Sequence, residues 1–149
     1  MEIFIPMTRV ITFGTFDLFH IGHLNVLRRA REMGDHLIVG VSSDELNYRK
    51  KAFYPTYPLE HRMSIVESIR FVDEVFVEHS LEEKHQYIVG HDADILVMGD
   101  DWKGKFDHFS EICRVVYLPR TEGISSTGVK QHIQASLESP LVRREKQPA

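Results

Sequence analysis

Residues 9–41 read RVITFGTFDLFHIGHLNVLRRAREMGDHLIVGV, and their order decides the fold. Arg9 to Phe13 is a short β-branched run that ends at Gly14, and a helical pattern follows from about His20 to Met33. Gly34 then closes the helix, and Asp35 leads into HLIVGV, a continuous apolar run of the kind a strand shows when both its faces are covered. Strand, turn, helix and strand in this order imply a parallel pair.

The rest of the chain repeats the alternation. After the polar stretch SSDELNYRKKAFYPTY, Pro58 suits a first helical turn, Leu59 to Ile69 carries helical spacing, and EVFV is a strand. Ser80 and Glu83 have the spacing of a capping box for a helix through about Val89, and DILVMG is the next buried strand. A short helix is allowed from Phe106, RVVYL is a fifth strand, and Ser126 or Thr127 can cap a last helix through about Leu137. The expected architecture is α/β: one domain over residues 8–137, Rossmann-like and doubly wound, with a mostly parallel five-stranded sheet and helices on both faces. Ligands of such sheets bind outside the carboxyl ends of the strands. Residues 138–149, polar and proline-containing, read as a frayed, flexible tail.

Bulk properties narrow the function. A chain of 149 residues with 42% apolar and 27% charged residues is an ordinary globular composition. A net charge of -4 gives no global attraction to nucleic acid. No apolar run approaches the ~20 residues that cross a bilayer, and the opening MEIFIPMTR has no leader pattern, so no membrane insertion is expected. The single cysteine, Cys113, lies in ICRVVYL, read as a buried strand, and fits a reducing cytoplasm.

Chemistry concentrates in three stretches. The first is Gly14-Thr15-Phe16-Asp17-Leu18-Phe19-His20-Ile21-Gly22-His23, where the first strand gives way to the first helix. A helix N-terminus offers unpaired N–H groups to phosphate, and His20 and His23, three apart, share one face. Gly22 keeps bulk off that face, and Gly14 lets the backbone turn closely beneath a ligand. Histidines at helical spacing can also ligate zinc, but no matching third histidine or cysteine is evident, so no protein metal site is expected. The second stretch, Arg120-Thr121-Glu122-Gly123-Ile124-Ser125-Ser126-Thr127, places a fixed cation and several hydroxyls before a helix. That arrangement suits a triphosphate, although the hydroxyls also serve as caps. The third, Val97-Met98-Gly99-Asp100-Asp101-Trp102, follows a buried strand and lies on the binding edge of the sheet.

GTFD followed by H-x-G-H resembles the nucleotidyltransferase superfamily, and RTEGISST is very similar to the RTEGIST motif of its cytidylyltransferase branch. VMGDDW with GKFD resembles the bacterial glycerol-3-phosphate cytidylyltransferases, and the likeness extends over residues 8–137. It implies transfer of a cytidylyl group from CTP to a small phosphorylated alcohol, glycerol 3-phosphate, with Mg²⁺ carried mainly by the CTP phosphates. It implies His20, His23 and Arg120 as catalytic. Nucleotide contacts would come from Gly14, Thr15, Phe16, Asp17 and Gly22, from Gly99 and Asp100, and from Arg120, Thr121, Ile124, Ser125, Ser126 and Thr127. Lys50, Arg62 and Lys84 match basic positions that bind substrate phosphates, with Lys51 an alternative to Lys50 because the KKAFYPTYPLEHR segment departs from the family's spacing. Asp17 is either a metal ligand or an organiser of the first turn. Arg70 to Val75, RFVDEV, resembles a family segment at a dimer interface and implies a homodimer. The competing readings are an ATP-dependent transferase of the same fold, a cytidylyltransferase for phosphocholine, phosphoethanolamine or ribitol 5-phosphate, and a nucleotide sensor without turnover.

Overall fold

The computed structural model describes residues 2, 3 and 5–138. Of the tail expected over 138–149, only Glu138 lies within them, and it belongs to the last helix. Five strands, β1 (Arg9–Gly14), β2 (His36–Ser42), β3 (Glu74–Glu78), β4 (Ile95–Gly99) and β5 (Arg114–Leu118), pair in parallel in the order β3-β2-β1-β4-β5. Between them run α1 (Ile21–Glu32), α2 (Asp44–Lys51), α3 (Leu59–Glu67) and α4 (Lys84–Gly90), and α5 (Ser126–Glu138) follows β5.

The strands are buried on both faces because their alternate residues enter two different cores. Val10 of β1, Leu37, Val39 and Val41 of β2 and Val97 of β4 pack with Leu27 and Ala30 of α1 and Val66 of α3. Ile11, Phe13, Ile38, Leu96 and Met98 point the other way, under Ile88 of α4 and Phe109. Burying such a side chain stabilises by roughly 1.5–3 kcal/mol, so strands apolar on both faces take the middle of the sheet. β3 and β5, only partly buried, take its edges.

Register is fixed at the opposite end from the cavity described below. Asp35, Asp73 and Asp94 each precede a strand, and each carboxylate accepts an amide at or beside the start of the neighbouring strand: Thr8 at 2.9 Å, Leu37 at 2.8 Å and Arg9 at 2.8 Å. Each aspartate's own N–H returns a bond to the same neighbour's carbonyl. Strand order reverses between β1 and β4, and the carboxyl ends of these two strands therefore open the crevice where ligands bind in sheets of this kind.

Five local readings are corrected. The polar stretch after β2 contains α2, capped by the Ser43 hydroxyl on the Leu46 amide. Ser80 and Glu83 form no capping box, because Ser80 Oγ is engaged by the Glu82 amide and carboxylate and α4 begins at Lys84. The cap of α5 is Ser125, whose hydroxyl accepts the Gly128 amide at 2.9 Å, rather than Ser126 or Thr127. Gly34 has no left-handed φ; it is small because a Cβ there would lie 2.7 Å from the Thr8 carbonyl oxygen. Cys113 is half-buried just before β5 rather than within it.

Candidate active site

The loop from Gly14 to His20 turns back over the end of β1 in an unusual conformation. Phe16 and Leu18 both have positive φ, 55° and 49°. Such backbone costs on the order of 1 kcal/mol or more per residue, and the burial of Phe16 in the core offsets it. The loop delivers His20 to the N-cap of α1, where a capping box forms from two imidazoles. His20 Nδ1 accepts the Gly22 amide at 3.0 Å, and His23 Nδ1 accepts the His20 amide at 3.1 Å.

This box fixes the chemistry of both rings. With Nδ1 as an acceptor, the proton of each neutral imidazole sits on Nε2, which becomes a hydrogen-bond donor. The rings stack, their centroids 3.9 Å apart. Burial, then the neighbouring His20, push the pKa of His23 down to about 4. His20 is also lowered, by burial and then by the charge of Arg120. At neutral pH the pair is two oriented neutral donors.

The second motif docks on the first. A Cβ on Gly22 would lie 2.8 Å from His20 Cε1 and 3.3 Å from Ile124 Cγ2, so Gly22 lets Ile124 close on the histidine pair. Thr121 Oγ1 accepts from Asn25 of α1 at 2.9 Å. Ser126 Oγ donates to the Asp17 carbonyl at 2.6 Å. Arg120 is exposed and pairs with Asp101 at 3.4 Å, which ties it to the loop after β4.

Asp17 is the buried joint of the site. Its carboxylate accepts the Thr56 amide at 2.7 Å and the Tyr57 amide at 2.9 Å, and Lys130 of α5 approaches to 3.8 Å. Burial alone would raise its pKa, but the Tyr57 and Thr56 amides and Lys130 outweigh it and hold the carboxyl below its ordinary value. The two backbone amides held by its oxygens make Asp17 an organiser of the turn. Among the described residues no cluster of three His, Cys, Asp or Glu is placed to hold an ion.

A cavity of about 540 Å³ opens above the carboxyl ends of the strands. Gly14, Thr15, Phe16, Asp17 and His23 form its β1 side; Gly99, Asp101 and Trp102 form its β4 side; Ser126 and Thr127 form part of its rim. His20, Gly22, Asp100, Arg120, Thr121, Ile124 and Ser125 are not among its lining residues.

The expected cations separate into three situations. Lys50 lines the cavity from the last turn of α2, where burial lowers its pKa, and its Nζ donates to Ser42 Oγ at 3.3 Å. Lys84 also lines the cavity but is fully buried and paired with Glu78 at 2.6 Å. Arg62 does not line it. That guanidinium is fully buried and donates to the carbonyls of Tyr57, Thr15 and Ser42 and to Asp44 Oδ1, at 2.7–2.9 Å. It fastens the loop after α2 and the first motif to the end of β2.

Several cavity residues were missed by sequence reasoning, among them Ser42, Asn47, Glu78 and Lys130. Asn47 is buried and bonds Thr15 Oγ1 at 2.7 Å while donating to the Ser42 and Ser43 carbonyls. A helical reading of α2 would have found it, since Asp44 and Glu45 at one end and Arg49, Lys50 and Lys51 at the other match the helix dipole. Nothing in the sequence marks Glu78, which lies at a strand end.

The family model described as cytidylyltransferase-like matches residues 11–132. The chain belongs to the cytidylyltransferase-like family. Within it, this cytidylyltransferase-like chain is 55% identical over 128 residues to the glycerol-3-phosphate cytidylyltransferase of Bacillus subtilis (strain 168), covering 85% of the chain and 98% of the relative. It is 50% identical over 129 residues to the Staphylococcus aureus (strain NCTC 8325 / PS 47) protein of the same name, covering 85% and 96%. Among solved structures, the lipopolysaccharide core biosynthesis protein of Thermoplasma volcanium GSS1 superimposes with a TM-score of 0.70 at 24% identity, over 78% of this chain and all of that one, which supports the shared fold.

Proposed function

We propose that this protein transfers the cytidylyl group of CTP to glycerol 3-phosphate, releasing pyrophosphate and CDP-glycerol. The observation that carries the reading is the imidazole capping box: two neutral, Nε2-protonated histidines at a helix N-terminus, inside a family whose relatives of that name share half or more of their residues with it.

In this reading a phosphate oxygen of glycerol 3-phosphate attacks the α-phosphorus of CTP, forming the new P–O bond as the bond to pyrophosphate breaks in line. A phosphomonoester has its second pKa near ~6 and is mostly dianionic at neutral pH, so no general base is needed. His20 and His23 donate from Nε2 to the oxygens on which charge accumulates, and the α1 N-terminus adds its partial positive charge. Arg120, Thr121 and the Ser125–Thr127 hydroxyls hold the departing phosphates; Gly99 and Asp100 border the nucleoside. Mg²⁺ bound with the triphosphate would neutralise part of its charge. A homodimer through Arg70–Val75 and a cytoplasmic setting belong to the same proposal. Among the described residues, no helix is long and apolar enough to cross a membrane.

The test is pyrophosphate release by the purified protein with Mg²⁺, crossing CTP and ATP with glycerol 3-phosphate, ribitol 5-phosphate, phosphocholine and phosphoethanolamine. Release confined to CTP with glycerol 3-phosphate supports the proposal. Preference for ATP, or CTP binding with no release under any pairing, overturns it.

A further inference from the structure

The cavity holds a buried carboxylate that the proposed reaction does not use, in a pocket meant for anions. Glu78, the last residue of β3, is 1% exposed and lines the cavity. Its Oε2 takes the ammonium of Lys84 at 2.6 Å, and its Oε1 takes the hydroxyl of Ser42 at 3.2 Å. Lys84 in turn sits 3.5 Å from the centre of the Phe13 ring. Its charge is therefore already answered by a carboxylate and an aromatic face.

Donor and acceptor counts show what such a pair can receive. A carboxylate has about four acceptor positions and an ammonium three donors, so each partner keeps capacity toward the cavity after these contacts. A phosphate, which only accepts, would meet Lys84 but be repelled by Glu78. A hydroxyl both donates and accepts, and it matches the two together.

Topology orders the site in the same sense. The nucleoside belongs over β4 and the reacting phosphorus over β1, where α1 begins, so the second substrate must extend toward β2 and β3. Lys50, whose Nζ donates to the Ser42 hydroxyl, stands over β2. Ser42 Oγ lies 3.3 Å from the Gly14 carbonyl of β1 on one side and pairs with Glu78 of β3 on the other. Adjacent strands are about 4.8 Å apart, so Glu78 is about 10 Å from β1, within the span of a short phosphoalcohol and the phosphorus it attacks.

The geometry points to the Glu78–Lys84 pair as the hydroxyl-reading end of the phosphoalcohol site, with Glu78 a specificity-determining residue that accepts a hydrogen bond from a substrate hydroxyl. This reassigns Lys84 from phosphate to alcohol recognition and leaves Lys50 as the phosphate cation. The inference rests on the proposed transfer to a phosphorylated alcohol. It adds that the site requires a free hydroxyl remote from the phosphate.

The test compares kcat/KM for glycerol 3-phosphate and for 1-propyl phosphate, which has the same chain without hydroxyls, at saturating CTP. A lost hydrogen bond to a charged group should give the unaltered enzyme about a 10–100-fold preference for glycerol 3-phosphate. Glu78→Gln should collapse that ratio to within about 3-fold, as the buried acceptor is weakened. Glu78→Asp, which keeps the charge beside Lys84 but withdraws it by one methylene, should also reduce the ratio. Equal use of the two substrates by the unaltered enzyme overturns the inference while leaving the proposed reaction standing. Glu78 variants that slow both substrates equally overturn it too, since that is the mark of a purely structural pair. Absence of turnover with every phosphoalcohol overturns the reaction and the inference together.

Discussion

The two ends of the cavity are built in opposite ways. At the start of α1, everything chemical comes from ten consecutive residues: the strained turn at Phe16 and Leu18, the two imidazoles and the glycine between them. At the ends of β2 and β3, the working groups come from residues far apart in sequence. Arg62 reaches Thr15, Ser42, Asp44 and Tyr57, while Lys84 reaches Glu78, which reaches Ser42. The local end orients neutral donors using backbone amides. The distributed end balances buried charges against one another, and there function and folding depend on the same bonds.

The contrast makes separable predictions. The largest effect should fall on stability at the distributed end. Arg62→Met removes the donor shared by Asp44 and three carbonyls and should cost about 3–5 kcal/mol, nearer the lower figure because Asp44 is partly exposed, read as a lowered urea midpoint. A cost under about 1 kcal/mol would remove the distinction between the two ends. At the local end the loss should be catalytic. His20→Ala and His23→Ala are each expected to lower kcat about 10²–10³-fold, while unfolding measurements show only the ~1 kcal/mol typical of a lost cap.

A third effect sharpens the comparison through pH. Because His23 titrates at about 4 in the folded chain and near 6.5 when unfolded, the unfolded chain binds the extra proton between those values. Stability should therefore fall as pH is lowered from about 6.5 to about 4, on the order of 3 kcal/mol in all, and be insensitive to this group outside that window. Urea unfolding of His23→Gln beside the unaltered protein should show that share of the pH dependence gone. The smallest effect belongs to Ser125→Ala, which removes the α5 cap and should cost about 1 kcal/mol with folding otherwise intact.

The same contrast explains what the sequence disclosed. β2 and β4 were legible because two-sided burial writes an unbroken apolar run, β1 because of its β-branched run, and the histidine pair because its geometry is that of one helical turn. α2 was not, because it buries only Leu46 and Asn47 and so carries almost no apolar stripe. Ser80 and Glu83 have the right spacing for a cap, yet the Ser80 hydroxyl finds a nearer partner in Glu82. Ser126 has the residue type and position of a cap, and its hydroxyl serves the Asp17 carbonyl instead. Lys84 and Arg62 were legible as cations but not as buried ones, since burial depends on Glu78 and Asp44, whose proximity only the folded sheet creates.

Asp17 has a wider bearing on motion. One residue receives the amides of Thr56 and Tyr57, the hydroxyl of Ser126 and the ammonium of Lys130, so the first motif, the segment before α3 and the start of α5 are fastened at a single point. Walls joined in this way form one cooperative unit in local unfolding. The amides of Thr56, Tyr57 and Gly128, distant in sequence, should exchange with solvent in concert, and the cavity should open as a whole rather than by the lifting of one flap.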